Sequence, residues 1–367
     1  MQLNLSSAIS SAIAQSSQLE LLEMPMLELE PTLGPKASKS SRLKSTSMQI
    51  AAPAPAPAAQ VTAQPVLQLS AIPQEINLDD FKNPHTPTNP NGDYISLYRF
   101  RQLANEIPSF AKFYYPSSFT IEDVYGNILN GATITPNSSF TSMSFYNAKK
   151  KFSSSTLSGL AGIPEDWRPA YASPDDWYDI SKYGDSFIEV CINPSCPSEG
   201  FNNNFYIIQE NSGNQLCWNY AAGNEVSTSN LTSDTKITSI SFKLMLVQVI
   251  RPWLDLSILQ MNGWYLDNEP IGFISSGDYG NNGGIFPLYL STMIVGTDLQ
   301  VQGNLSKTDN QLVSNMLTNN LPLGLNNLLV KTLEKTADGA DLLTNSGYFI
   351  AGWISSLVGQ SPKMQQT

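Results

Sequence analysis

The sequence predicts a β-rich body, an antiparallel β-sandwich-like core with a few peripheral helices, α+β in character at its C-terminal end and preceded by a disordered N-terminal arm. Three observations predict it. Strand-length apolar runs recur through the middle of the chain with turn residues between them. No G-x-G-x-x-G or phosphate-binding loop follows any of them, which argues against a parallel, doubly wound sheet. Aromatic residues are absent until Phe81, after an Ala-Pro run from Ala51 to Ala59. Alternating Ala and Pro favours polyproline II, which has no internal hydrogen bonds and buries little.

Residues 1–75 are therefore expected to form a mobile arm whose removal leaves the melting temperature nearly unchanged. Its first residues have two readings. Leu3 to Ala14 ends in Ala12-Ile13-Ala14 like a short signal peptide, although no Lys or Arg precedes it. The same residues place Leu5, Ala8, Ile9, Ala12 and Ile13 on one face of an amphipathic helix. Residues 76–367 are expected to be a single β-rich domain with C-terminal helical segments over roughly 305–360.

Within that domain Asp93 to Asn105 reads as a helix stopped by Pro108. Strands are expected at Ser118–Val124, Ile128–Thr135 and Phe140–Tyr146, the first two joined by a hairpin turn at Gly126-Asn127. Further strands follow at Phe187–Ile192, Phe205–Gln209 and Asn214–Tyr220. In Lys236–Ile250, Ile240, Phe242, Leu244 and Leu246 alternate with polar residues before the apolar set changes parity to Val247 and Val249. That shift implies a bulge or a strand that becomes buried on both faces. Pro287–Gly296 and Asp298–Gly303 read as a strand pair. Helical spacing is expected from Gln311 to Leu333, and Tyr348–Val358 reads as an apolar terminal segment.

Composition removes several function classes. Lys and Arg number 20 against 31 Asp and Glu, a formal charge of −11, and the pI is about 4.6. A nucleic-acid groove needs clustered cations, so none is expected. His85 is the single histidine, set among prolines and asparagines, which leaves little for a Ser-His-Asp triad or an H-E-x-x-H metal site. No run reaches the ~18 consecutive apolar residues of a membrane span. The three cysteines are Cys191, Cys196 and Cys217. The first two, four residues apart, could close a small disulfide loop, and an odd count leaves at least one thiol outside intrachain bridges.

Four patterns carry candidate chemistry. Pro164-Glu165-Asp166-Trp167 and Pro174-Asp175-Asp176-Trp177 repeat a Pro-acid-Asp-Trp motif. Carboxylates beside stacking rings suit a sugar site, which makes Trp167, Asp175, Asp176 and Trp177 candidate ligand contacts; Ser173-Pro174-Asp175-Asp176 also reads as a helix start with Trp anchors turned inward. The glycine-rich stretch Asp267–Gly284 adds Trp264, Asp278, Tyr279 and Asn281 as candidate recognition residues, without EF-hand spacing. Arg251 and Trp253 are candidate interface anchors, the alternative being a structural stack. The Ser/Thr-rich alternation from Val226 to Leu246 resembles a membrane-inserting hairpin as well as an ordinary sandwich strand. N-x-S/T sequons stand at Asn4, Asn137, Asn230 and Asn304.

The resulting expectation is a non-catalytic binding or assembly protein, recognising a protein or glycan partner or a membrane surface through aromatic and Asn-rich loops and tethered by its arm. No cofactor, metal or nucleic acid is expected, an extracellular or surface-associated location is favoured, and an oligomer fits the same picture. The alternatives are a membrane-active, pore-forming protein and a carbohydrate-binding or glycan-active one.

Overall fold

The computed structural model describes residues 5–16, 64–108, 110, 120–158, 162–193, 205–208, 216–222 and 225–366. In chain order the helices are α1 (Leu5–Gln15), α2 (Tyr94–Ala104), α3 (Ile121–Gly131), α4 (Ser139–Ser154), α5 (Ile180–Tyr183) and α6 (Lys307–Thr318). The strands are β1 (Val66–Ile76), β2 (Ala132–Ile134), β3 (Tyr171–Ser173), β4 (Ile188–Ile192), β5 (Tyr206–Ile208), β6 (Cys217–Ala222), β7 (Glu225–Asn230) and β8 (Lys236–Ile250). They continue with β9 (Trp264–Leu266), β10 (Leu288–Asn304), β11 (Leu323–Leu325), β12 (Leu328–Val330), β13 (Thr332–Lys335), β14 (Asp341–Asn345) and β15 (Tyr348–Leu357).

A nine-stranded sheet is the frame. Its path runs β13-β14-β10-β15-β1-β5, with β8 on the other edge of β10 and β3 and β4 beyond β8. The 17-residue β10 holds it together. One edge pairs with β15 over Leu288–Gly296 and then with β14 over Leu299–Gly303, while the opposite edge pairs with β8. All these pairings are antiparallel except β1 with β5. A smaller sheet, β12-β11-β6-β7, packs on one face.

The two faces have separate cores, and this settles the parity change in β8. Ile240, Phe242, Leu244 and Leu246 point to one face, where they meet Trp218, Leu323 and Leu325 of the small sheet. Met245, Val247 and Val249 point to the other, onto Phe81, Phe100 and Trp177. The strand is covered on its second face only toward its end, so no bulge is needed there. β15 also serves both cores, with Phe349 and Ala351 on the first face and Ile350 and Trp353 on the second, but there the register slips at Ala351, so Ala351 and Trp353 face opposite ways. A third cluster joins α3 and α4 to Trp253, Trp264 and Phe286.

Several expectations change. The folded body begins inside the stretch expected to be the arm: α1 forms as the amphipathic helix and buries Leu5, Ile9 and Ile13 in the first core, and β1 lies between β15 and β5. Each such apolar side chain contributes roughly 1.5–3 kcal/mol on burial, a force the composition of the neighbouring Ala-Pro run concealed. The Ala-Pro run itself lies outside the described residues. Of the expected strands, Ile121–Val124 and Phe140–Tyr146 are helix, and residues 118–119 lie outside the described residues. Thr120 and Asp123 form a reciprocal capping box that starts α3, which runs through the expected hairpin turn at Gly126. In α4 the buried stripe is Thr141, Phe145 and Ala148, a helical spacing. The expected strand pair around Asp298 is one continuous strand, β10, whose register against β8 slips between Thr297 and Gln300, with Asp298 at φ 52°. The C-terminal segments are helical only in α6. Leu328–Val330 and Thr332–Lys335 are short strands, and Tyr348–Leu357 is a strand buried on both faces, which reads as a continuous apolar run.

Candidate functional site

An open cleft lies where three segments meet. Their sequence explains each position. At the exit of β1, Ile76 is in register with Tyr348 of β15, so that tyrosine stands beside the end of the central sheet. Asn77 caps the following 3-10 turn by accepting the Asp79 N–H at 3.2 Å, and the turn buries Phe81. Phe81 and Phe100 hold Trp177 between them, with ring centroids 5.1 and 6.0 Å away. That buried anchor presents its neighbours Tyr178 and Asp179 outward. The β14–β15 turn is set by Asn345, whose Oδ1 accepts the Gly347 N–H at 2.8 Å.

The cleft they form, about 630 Å³, is lined by Glu75, Asp79, Lys82, Tyr178, Asp179 and Tyr348, among others. Its charges are paired at the rim. Lys82 Nζ lies 2.5 Å from Asp79, Lys331 Nζ 2.6 Å from Glu75, and Lys182 Nζ 3.6 Å from Asp179. The hydrogen bond and charge of Asp79 raise the Lys82 ammonium above its ordinary pKa. The Ser181 hydroxyl and then Lys182 hold Asp179 below the usual carboxylate range, with burial opposing. Burial, followed by the Asp298 charge, raises the Tyr348 phenol. At neutral pH the lining therefore offers fixed charges of both signs and two half-buried phenol rings, suited to hydrogen bonding and ring stacking.

The residues singled out from sequence fall in different places. Trp177 is a core residue that anchors the cleft wall. Asp176 lies behind it, bound to Lys182 at 2.7 Å and to the Tyr183 hydroxyl, and those two hydrogen bonds lower its pKa. Asp175 is exposed and accepts the Thr88 hydroxyl at 2.8 Å. No helix starts at Pro174: Ser173 closes β3 in the ladder against Gln248, and Pro174 accepts the Trp177 N–H in a turn. Trp167, the other half of the repeat, is buried in a separate cluster with Leu97 and Ile163, edge-on to Tyr98 at 5.2 Å. The repeat thus marks two tryptophan anchors, not one site.

In the glycine-rich stretch Trp264 is fully buried against Phe145. Tyr279 stacks on Tyr206 at 4.8 Å and donates to the Gln64 carbonyl at 2.8 Å, while Asp278 and Asn281 are exposed. Nothing brings these four to the cleft. Arg251 and Trp253 are inside the body, which corrects the interface reading. Arg251 Nη1 donates to the Leu290 carbonyl at 2.7 Å and Nη2 to that of Ala104, and Trp253 Nε1 donates to Pro169 at 2.7 Å. Burial makes them staples between loops.

The remaining expectations are placed as follows. His85 is stacked flat on Tyr94 at 4.0 Å. Cys191 is exposed and Cys217 buried, while Cys196 lies outside the described residues. Val226–Leu246 is divided between β7 in the small sheet and β8 in the large one, so the two strands do not form a hairpin. Among the described residues no helix is long and apolar enough to cross a membrane.

Reasoning from sequence missed Tyr348, Asp79 and Lys82. Asn77-Leu78-Asp79-Asp80 carried a usable signal, an Asn cap before acids. Tyr348 carried none, because its role depends on pairing with a strand far away in sequence. The class defined here is a strand-rich protein of several sheets with an open, tyrosine-lined cleft at one end of its main sheet. Comparison with known protein families, characterised proteins and solved structures finds no match.

Proposed function

We propose that this chain is a non-catalytic binding protein that takes a glycan at the cleft beside the end of β1. The observation that carries the reading is the juxtaposition of Tyr178 and Tyr348 with the charged rim of Asp79, Lys82 and Asp179. Phenol rings stack on the C–H faces of a sugar, and fixed carboxylates and ammonium groups match its hydroxyls. The space suits a ligand of a few sugar rings. The walls are held from behind by Trp177, Phe81 and Ile350, so the site is preorganised and little ordering opposes binding.

A glycan array probed with the full chain, alongside Tyr178→Ala and Tyr348→Ala, tests this. Both positions are partly exposed, so the variants should melt within about 1 kcal/mol of wild type and lose array binding by on the order of tenfold or more. A chain that binds no glycan, or variants that bind as well as wild type, would defeat the proposal. Dissociation of an oligomer by the same variants, with no glycan bound, would instead make the cleft an assembly contact.

A further inference from the structure

Helix α4 carries an outward face that the fold does not use. Its inward stripe, Thr141, Phe145 and Ala148, is buried, and Phe145 packs on Trp264 at 5.1 Å. On the opposite side Phe140, Met143 and Tyr146 are 75%, 59% and 62% exposed. At 100° per residue these three and Lys150 fall within one outward arc, flanked by Lys149 and Lys151. Solitary exposed apolar side chains are ordinary; three within two turns of one helix are not.

The charge around this face is equally uneven. The chain carries −11 overall, yet no Asp or Glu occurs between Asp123 and Glu165, and Lys149, Lys150 and Lys151 are consecutive within that interval. One lysine in the last turn is accounted for by the helix dipole. Three in a row beside exposed Phe, Met and Tyr are not.

We propose that α4 is an interfacial anchor that lies flat on an anionic lipid bilayer, its Phe140, Met143 and Tyr146 side chains entering the headgroup boundary and its three lysines facing the lipid phosphates and carboxylates. The helix is about 24 Å long, enough to rest on the interface without crossing it. Charge complementarity selects the occupant. Anionic headgroups attract juxtamembrane lysines, and a tyrosine ring suits the zone where one end is apolar and the other wet. This anchor is independent of the cleft, which lies on other elements.

Vesicle flotation of the full chain is the test, using phosphatidylcholine vesicles and vesicles that also contain phosphatidylserine. Wild type should float with the anionic vesicles only, and added salt should release it as the Debye length shortens. A triple Phe140→Ser, Met143→Ser, Tyr146→Ser variant and a triple Lys149→Glu, Lys150→Glu, Lys151→Glu variant should each stay in the supernatant. The charge reversal should lower the partition coefficient by on the order of 100-fold. Unchanged melting of both variants shows that the fold is intact, and glycan binding should persist in them. Failure to float with anionic vesicles overturns the proposal, as does equal binding to neutral ones. Conversion of an oligomer to a monomer by either variant, without any vesicle binding, also overturns it and makes α4 a contact between copies.

Discussion

Asp309 shows how much one side chain organises. It is the third residue of α6 and almost fully buried, and it accepts Trp218 Nε1 at 3.1 Å, the Thr232 N–H at 3.0 Å and Oγ1 at 2.6 Å, and the Thr235 hydroxyl. Burial works to raise its pKa, but the Thr232 and Thr235 hydroxyls, the Thr232 N–H and the Trp218 indole outweigh it and hold the carboxyl below its ordinary 3.8. Thr232 and Ser306, the hydroxyl residues of the sequons at Asn230 and Asn304, are committed to this cluster. Replacing Asp309 with Ala leaves several buried donors without an acceptor and should cost about 3 kcal/mol by chemical denaturation. Because the folded pKa is the lower one, the contribution is complete above the ordinary carboxylate value and disappears as pH falls through the folded value. The wild-type melting temperature should therefore drop more steeply below pH 3.8 than that of Asp309→Asn, which keeps the shape without the titration. Parallel acid melting profiles of the two proteins would contradict this.

Elements here depend on close approach as much as on propensity. Gly296 sits in the middle of β10, where a Cβ would lie 2.6 Å from the ring of Phe349 on the adjacent β15, itself fully buried. Gly296→Ala should destabilise by about 1–3 kcal/mol through overpacking, measured by urea denaturation. A companion Phe349→Leu change should recover part of the loss, a result that a backbone-only effect of glycine would not give. The neighbouring α3 and α4 show the limits of local reading. Their alternating polar and apolar residues suit a strand, and only Thr120-x-x-Asp123 and the 141, 145, 148 spacing argue for helix. Gly126 then lets Phe152 come within 3.0 Å of where its Cβ would be, bringing the two helices together. Nothing local reveals that Phe140, Met143 and Tyr146 end up outside.

For the whole molecule, the N-terminal helix is the decisive test of how the body is bounded. Leu5, Ile9 and Ile13 are buried in the core shared by the two sheets. Ile9→Ala or Ile13→Ala should each cost about 2–4 kcal/mol, and deletion of residues 1–16 should lower the melting temperature by well over the few degrees of a surface change. Unchanged melting after that deletion would show that α1 contributes no net stability to the fold.

Sequence alone determined the strand-rich class, the helix at Tyr94–Ala104 and the long strand Lys236–Ile250. Each of these follows from local periodicity, turn chemistry or composition, which act over a few residues. Tertiary structure decided the rest. It placed Tyr348 beside Ile76, turned Arg251 and Trp253 inward, made strands of the leucine-rich C-terminal runs, and left one face of α4 uncovered. Those outcomes depend on which surfaces meet across long sequence separations, and an apolar run covered on both faces has no period to reveal its conformation.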